Sequence, residues 1–497
     1  MVRKIRLTLA AVTFTLITLL FLDLTGSLHA WLGWLAKIQF WPAVLAMNVA
    51  VVAALLIVTL IFGRIYCSVI CPLGIMQDLI SALHGRHKRN RFSFSPERRW
   101  LRYSMLVVFL AACLAGINVI VSLLAPYSSY GRMVNSIVRP VWTAGNNLLA
   151  AAAEHVDSYA FYSVDVWMRS GITLAIAIAT FVIIAVLAWR GGRTYCNTIC
   201  PVGTILSFFA RFSWLKISID GNKCVSCRLC EKNCKASAID VKTGFVDHSR
   251  CVVCGNCLEK CNKGAITYAH HAKNAENKTA ADTQSDSVDS SRRAFLLGTA
   301  MATTAAALAQ EKKKVDGGLA VIEDKIKPER ATPITPPGSL SARHMAQHCT
   351  ACQLCVSACP NDVLRPSSDL SKLMQPTMSY ERGYCRPECT RCSEVCPTGA
   401  IKPIKKEDKS AIQIGHAVWI KKNCIPVTDG VTCGNCARHC PVGAITMVPL
   451  HPGTDSKLTI PAVNEARCIG CGACENLCPS RPFSAIYVEG HEAHRTV

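Results

Sequence analysis

Long apolar runs separated by short polar segments fill the first 200 residues, and the rest of the chain shows no such runs. A membrane's hydrocarbon core is crossed by about 20 residues of apolar helix. Four stretches meet that length, near 5–24, 43–62, 103–125 and 171–189. The pattern therefore predicts a membrane domain of four spans. The first run has no small-residue cleavage site after Leu24, so it reads as an anchor and not as a cleaved signal. Orientation follows from basic residues in the loops. Arg3, Lys4 and Arg6 precede the first span, and Arg64, Arg86, Lys88, Arg89, Arg91, Arg98, Arg99 and Arg102 lie between the second and third. The 25–42 loop has only Lys37, and the 126–170 loop balances three Arg against Glu154, Asp157 and Asp165. Both ends of this half are thus expected on the cytoplasmic side.

Each two-span hairpin is followed by the same motif. Gly63-Arg64-Ile65-Tyr66-Cys67-Ser68-Val69-Ile70-Cys71-Pro72-Leu73-Gly74 matches Gly192-Arg193-Thr194-Tyr195-Cys196-Asn197-Thr198-Ile199-Cys200-Pro201-Val202-Gly203 at eight of twelve positions. This marks a tandem duplication. On one helix, Cys residues four apart share a face. The repeats are therefore expected to bring Cys67, Cys71, Cys196 and Cys200 together as a shared thiolate site for iron-sulfur, another soft metal or thiol redox chemistry. The competing reading is that Cys-Pro only shapes helix ends. Cys113, alone in the third span, reads as a small apolar side chain.

Composition then changes the picture. Of 497 residues 29 are Cys, and 24 of these fall between Cys224 and Cys478. Cysteines so closely spaced suit metal binding better than disulfides. The runs Cys224, Cys227, Cys230, Cys234 and Cys251, Cys254, Cys257, Cys261 have the spacing of a two-cluster ferredoxin, in which the fourth Cys of each run serves the other cluster. That rule assigns Cys261 to the first set and Cys234 to the second. Zinc is the competing metal, but its sites usually come as separated Cys pairs. Lys235 and Asn262 stand where Pro commonly follows the fourth Cys. Four further runs, Cys349, Cys352, Cys355, Cys359; Cys385, Cys389, Cys392, Cys396; Cys424, Cys433, Cys436, Cys440; and Cys468, Cys471, Cys474, Cys478, all close with Cys-Pro. The spacing leaves open how these four runs pair. Six [4Fe-4S] clusters are expected in all. Gly264-Ala265-Ile266, Gly399-Ala400-Ile401 and Gly443-Ala444-Ile445 each predict a short strand after a cluster loop. The net charge of +21 has sufficient cause in membrane-flanking basic residues and uncounted cluster charge, so nucleic-acid binding is set aside.

Residues 271–291 read as a polar linker. Ser291-Arg292-Arg293 followed by a modest apolar run to Ala309 resembles an internal twin-arginine export signal, or a short fifth span, with Ala307-Leu308-Ala309 suited to cleavage. Export of folded, cluster-loaded protein would leave residues 224–261 cytoplasmic and place 349–478 in the periplasm. The Pro-rich segment 328–338 would then be a stalk.

Taken together, residues 1 to about 270 resemble the NapH family of membrane quinol dehydrogenase subunits. Residues 288–497 resemble the NapG and MauM ferredoxin family, so the chain resembles a fusion of the two. The expected architecture is multi-domain: an α-helical membrane domain (1–215), an α+β two-cluster ferredoxin (216–270), a linker with the signal or fifth span (271–340), and a four-cluster ferredoxin domain (341–497). The resemblance implies oxidation of quinol, with menaquinol as the expected donor, and electron delivery to a periplasmic reductase such as nitrate reductase, or to a cytochrome partner. Alternatives are an electron donor for maturation or turnover of another periplasmic redox enzyme, and a cluster-based sensor or scaffold. No Cys-x2-Cys-His or Gly-x-Gly-x2-Gly before a helix occurs, which disfavours c-type haem and nucleotide cofactors. His29, Glu154, His155 and Asp157, at the outer membrane edge, are candidate quinol contacts, though each reads first as a solvated side chain.

Overall fold

The computed structural model describes residues 2–85, 92–158, 160–270, 323–451 and 457–496. The linker and the twin-arginine segment lie outside the described residues.

The helical region differs from the predicted four spans. Among the described residues, two helices are long and apolar enough to cross a membrane, Val2–Leu22 and Gly171–Gly191. The second predicted span is shortened to Val49–Phe62, 14 residues. Met47 adopts a left-handed φ of 52°, and Asn48 caps the new helix by accepting from Val51 N, so residues 43–45 belong to a separate short helix. The third predicted span is broken into Arg99–Leu114 and Asn118–Leu124 by Gly116, whose φ of +72° ends the first piece. Large apolar side chains stand exposed on these helices, among them Leu9 and Val12, Ile57, Val107 and Leu114, and Val182 and Ile183. Monomers in water rarely expose so much apolar surface in continuous faces.

The 126–170 segment, expected as an outer loop, begins as a buried element. Pro126 opens the helix Pro126–Met133, every residue of which is buried, and a π turn at Val134–Val138 leads into Arg139–Glu154. Pro at a first helical position is pre-organised for helix; the buried Tyr127, Tyr130 and Arg132 supply the rest of its anchorage.

The first ferredoxin region pairs Leu215–Ile219 antiparallel with Ile266–His270, and Ile239–Asp240 with Phe245–Val246. The later region has three antiparallel pairs: Leu364–Pro366 with Pro376–Met378, Ile412–Trp419 with Ile486–Thr496, and Ile445–Pro449 with Thr459–Val463. Strands follow Ala265 and Ala444. None follows Ala400: there the chain makes a single backbone bond from Lys402 N to Gly338 O, because its neighbour is an irregular segment and offers no strand to pair with.

The two ferredoxin regions pack against opposite ends of the first long helix. Arg3 at its start pairs with Glu259. Past its other end, Gly26 abuts the Arg391 side chain, while Phe21 and Gly131 lie together beside Cys352. A helix of 21 residues is about 30 Å long. The four-run region is held on its end by Asn135 Nδ2 donating to Gln353 Oε1 at 2.9 Å, by Arg169 to Asp362 at 2.8 Å, and by Arg365 and Arg382 over the Trp167 ring at 4.4 and 4.8 Å. Removing Trp167 (Trp167→Ala) is expected to loosen this docking and speed proteolytic separation of the two regions, with helical content unchanged by circular dichroism; unaltered proteolysis would refute it.

Candidate iron-sulfur centres and the buried thiol quartet

Four of the six short helices behind the cluster loops start at residues in the left-handed region, Arg228, Gly255, Gln353 and Gly472. This turns successive Cys side chains inward. Around the first ferredoxin, Cys230 neighbours Cys224 and Cys227, whereas Cys234 sits with Cys251, Cys254 and Cys257. Burial, then the nearby thiols, raises Cys251 to about 12 and Cys234 to about 11. Such thiols lose their protons to bound metal.

The four later runs pair as two crossed couples. Cys396 lies with Cys349, Cys352 and Cys355, and Cys359 with Cys385, Cys389 and Cys392. One small cavity is lined by Cys440, Cys468, Cys471 and Cys474, and another by Cys424, Cys433, Cys436 and Cys478. Both are otherwise largely apolar, with Ile445, Ile469 and Val488 around the first and Met447 and Ile486 around the second. Backbone N–H groups point at the crossing sulfurs: Ala238 to Cys234 at 3.4 Å, Ala444 to Cys440 at 3.2 Å, Ala485 to Cys478 at 3.3 Å. Such bonds stabilise the negative charge of a ligated cluster and tune its potential. Among the described residues no three His, Cys, Asp or Glu side chains close on a single ion. Four thiols spread around a hollow fit a [4Fe-4S] cube.

The cluster sites form a series. Cys385 N donates to Cys471 O at 2.9 Å, joining the two couples through their inner members, and Cys474 neighbours Cys436. The order is therefore the Cys349 set, the Cys385 set, the Cys468 set and last the Cys424 set. Exchanging Cys440 for serine is expected to remove iron from the Cys468 set, about four atoms, and to leave the Cys424 set spectroscopically intact. Iron lost instead from the Cys424 set would refute the crossing.

Cys67, Cys71, Cys196 and Cys200 converge in the helical region, each 4% exposed. They do not share one helical face. The helices Tyr66–Val69 and Thr194–Thr198 stop before the second Cys, because the residue preceding a Pro is driven out of helical geometry. Cys200 instead caps the next helix, accepting from Gly203 N at 3.3 Å. The duplicated motifs exchange arginines: Arg64 donates to Cys196 O at 3.0 Å and Arg193 to Cys67 O at 2.6 Å. Gly74 and Gly203 leave room for these guanidinium groups, since a Cβ on either would collide with the same carbonyls. Gln77 Nε2 donates to Cys196 Sγ at 3.2 Å. Burial first, and then the neighbouring thiols, hold Cys71 and Cys200 far above the ordinary thiol range.

Two buried arginines connect this quartet to its surroundings. Arg64 NH1 also donates to Asn197 and, at 3.0 Å, to Ser249 O, two residues before Cys251. Arg132, on the far side, has Tyr195 and Cys352 as its charge-bearing neighbours. Among the described residues neither makes a carboxylate salt bridge, and a buried cation calls for an anion nearby; Cys196 and Cys251 beside Arg64, and Cys352 beside Arg132, would supply it once deprotonated by bound metal. Cys113 is partly buried and isolated. Lys235, in place of the usual Pro, accepts Arg193 N at its carbonyl and places Nζ 3.5 Å from Asp78, so it fastens the first ferredoxin to the helices. Of the outer-edge candidates, Glu154, His155 and Asp157 are exposed; the His29 side chain is not, at 7%.

Repeated crossed thiol sets on ferredoxin-like scaffolds define an iron-sulfur electron-transfer protein of the polyferredoxin class. A 4Fe-4S binding domain family matches residues 44–91 and 173–219, the two halves of the duplication, and a 4Fe-4S dicluster domain family matches 348–410 and 431–481. The first of these matches takes in the quartet and stops short of Cys224. The chain is 34% identical over 167 residues to the methylamine utilization ferredoxin-type protein MauM of Methylophilus methylotrophus, covering 32% of this chain and 72% of that one. It is 30% identical over 159 residues to the ferredoxin-type protein NapF of Escherichia coli K12, covering 32% of this chain and 87% of NapF. An uncharacterised protein of Methanocaldococcus jannaschii is 25% identical over 265 residues, 52% of this chain and 85% of its own. The chain belongs to the family of ferredoxin-type proteins that includes MauM and NapF. It spans 64% of the MauM protein of Methylobacillus flagellatus.

Proposed function

We propose that this protein is a membrane-bound electron carrier that oxidises quinol, menaquinol by its NapH-like motifs, and relays electrons to a periplasmic reductase or cytochrome. The observation that carries the reading is the pair of ferredoxin regions at opposite ends of a helix about 30 Å long, with the four buried thiols between them. The apolar faces of the helices Val2–Leu22 and Gly171–Gly191 support burial in lipid. The first ferredoxin region would then be cytoplasmic and the four-run region periplasmic.

Clusters bound at the six thiol sets would supply reversible one-electron transfer. The protein's share is to hold the thiolates, exclude water and aim N–H groups at sulfur. Cys67, Cys71, Cys196 and Cys200 would hold a further thiolate-bound iron centre, with Arg64 and Arg193 offsetting its negative charge. Iron is expected at about 24 atoms per chain from six sets and about 28 with the quartet loaded; zinc in their stead would overturn the reading. The direct test is protein in lipid given a reduced menaquinone analogue, with visible cluster absorbance bleaching. No bleaching by any quinol overturns quinol oxidation. A second reading, electron supply to another periplasmic redox enzyme such as an amine dehydrogenase, is favoured by the likeness to MauM.

A further inference from the structure

We infer that His29, oriented by Asp23 and joined by Arg139, is the place where a quinol hydroxyl is bound and deprotonated. This rests on the quinol reading above. Asp23 Oδ2 accepts from the His29 ring Nδ1 at 2.8 Å and from His29 N at 3.2 Å. Asp23 Oδ1 accepts from Thr25 N, Thr25 Oγ1 and Gly26 N at 3.0, 3.0 and 2.8 Å. The carboxylate is therefore an acceptor at every contact, which puts the imidazole proton on Nδ1 and leaves Nε2 as a lone-pair base. Nε2 is buried and has no partner, although the His29 side chain is 7% exposed.

A complementary donor stands near. Arg139 faces both Asp23 and His29, and its NH1 is likewise buried without a partner. An unmatched acceptor and an unmatched cationic donor in one place suit a group that both donates and accepts, as a phenolic hydroxyl does. Arg139 also faces Cys359, and Arg391, beside Cys392, faces His29. The site therefore borders the thiol set of Cys359, Cys385, Cys389 and Cys392. Trp31, on the same short helix as His29, and Trp34, at the start of the next, are each more than half exposed and offer apolar surface on which a lipid-soluble ring and tail can rest.

The step balances as follows. The quinol breaks two O–H bonds and becomes a quinone. One proton passes to His29 Nε2 and the other to water. The two electrons would be taken up, one each, by two [4Fe-4S] clusters, which the thiols of the 349–396 couple would hold. The charged groups around His29 are Asp23 on its own segment, Arg139 from the helix Arg139–Glu154 and Arg391 from the four-run region. Burial, partly offset by the Asp23 bond, keeps the imidazole below its usual pKa, so the base form is ready at neutral pH. Oxidation is expected to fall off only in acid, as pH drops through that lowered value.

The test uses the full cluster-loaded protein in lipid, with menadiol as reductant and the fluorescent quinol analogue 2-heptyl-4-hydroxyquinoline N-oxide as binding probe. His29→Gln is expected to slow menadiol bleaching about tenfold or more and to weaken probe binding about tenfold, each about 1.4 kcal/mol, while dithionite bleaching keeps its full amplitude. Arg139→Met is expected to weaken probe binding likewise and carries the test if His29→Gln does not assemble. Glu407→Gln, at an exposed position of the four-run region, is expected to match wild type. Wild-type rates and probe affinity in both His29→Gln and Arg139→Met would overturn the assignment while leaving quinol oxidation standing; failure of wild type to bleach with any quinol would overturn quinol oxidation itself.

Discussion

Exchanging Asp78 for asparagine is expected to destabilise the protein by about 3–5 kcal/mol, seen as a lower thermal midpoint in detergent and early iron loss from the 224–261 sets. Asp78 accepts from Arg6 NH1 at 2.8 Å and from Arg193 Nε at 2.9 Å, with Lys235 Nζ at 3.5 Å. The side chains of Arg6 and Arg193 are 3% and 0% exposed. One carboxylate thus serves three cations from the first helix, the second repeat and the first ferredoxin. Asparagine keeps the shape and removes the charge, leaving buried guanidinium groups without a counterion. Burial alone would raise the Asp78 pKa, but Arg193, then Lys235 and Arg6, outweigh it and hold it well below the usual carboxylate range. A depressed folded pKa means this stability is complete above about pH 4, the unfolded value, and disappears only as pH falls through the lower folded one. A midpoint equal to wild type would show that the cations are satisfied without it.

That cluster also shows what the sequence could carry and what it could not. The Cys spacings disclosed the ligand runs, because each run is local and a cube needs several thiols from one turn of chain. The duplication was legible for the same reason, from motifs eight-twelfths identical. The partnering of the four later runs was not, since Cys396 meets the 349 run and Cys478 the 424 run only through tertiary folding. Arg64 and Arg102 read as loop charges on a membrane face, yet both are fully buried. Basic residues near a span end look alike in sequence whether they meet lipid headgroups or the interior. His29 was misread in the same way: a His after a polar turn looks solvated until Asp23 and the four-run region close over it. The shortened second and third spans follow from Met47 and Gly116, positions whose left-handed backbone hydropathy does not register. Lys235 was visible as a departure from Cys-Pro, but its reason is the distant Asp78.

Replacing both Cys67 and Cys196 with serine should cut the electrical connection between the two ferredoxin regions. The quartet is reached from one side through Arg64 and Ser249, next to the Cys251 set, and bordered on the other by Tyr195, Arg132 and Cys352. Among the described residues of the helical region it is the place where several thiols gather, so electrons crossing between the regions would have no other multi-thiol stop on the way. Serine is close in size and keeps the packing, but it is a poor ligand for iron. In sealed vesicles holding the protein in one orientation, dithionite stays on the face where it is added. With wild-type protein, reductant on the face of the 224–261 sets is expected to bleach the whole cluster absorbance, as the proposed relay through the quartet requires. With Cys67→Ser/Cys196→Ser, only about one third is expected to bleach, the share of two sets among six, and adding reductant to both faces should recover the remainder. The single exchange Arg64→Lys keeps the charge while losing the fork that reaches Asn197, Cys196 and Ser249 together; it is expected to leave bleaching complete but slower. Complete bleaching of the double serine variant from one face, at the wild-type rate, would show that the quartet holds the helices together and carries no current.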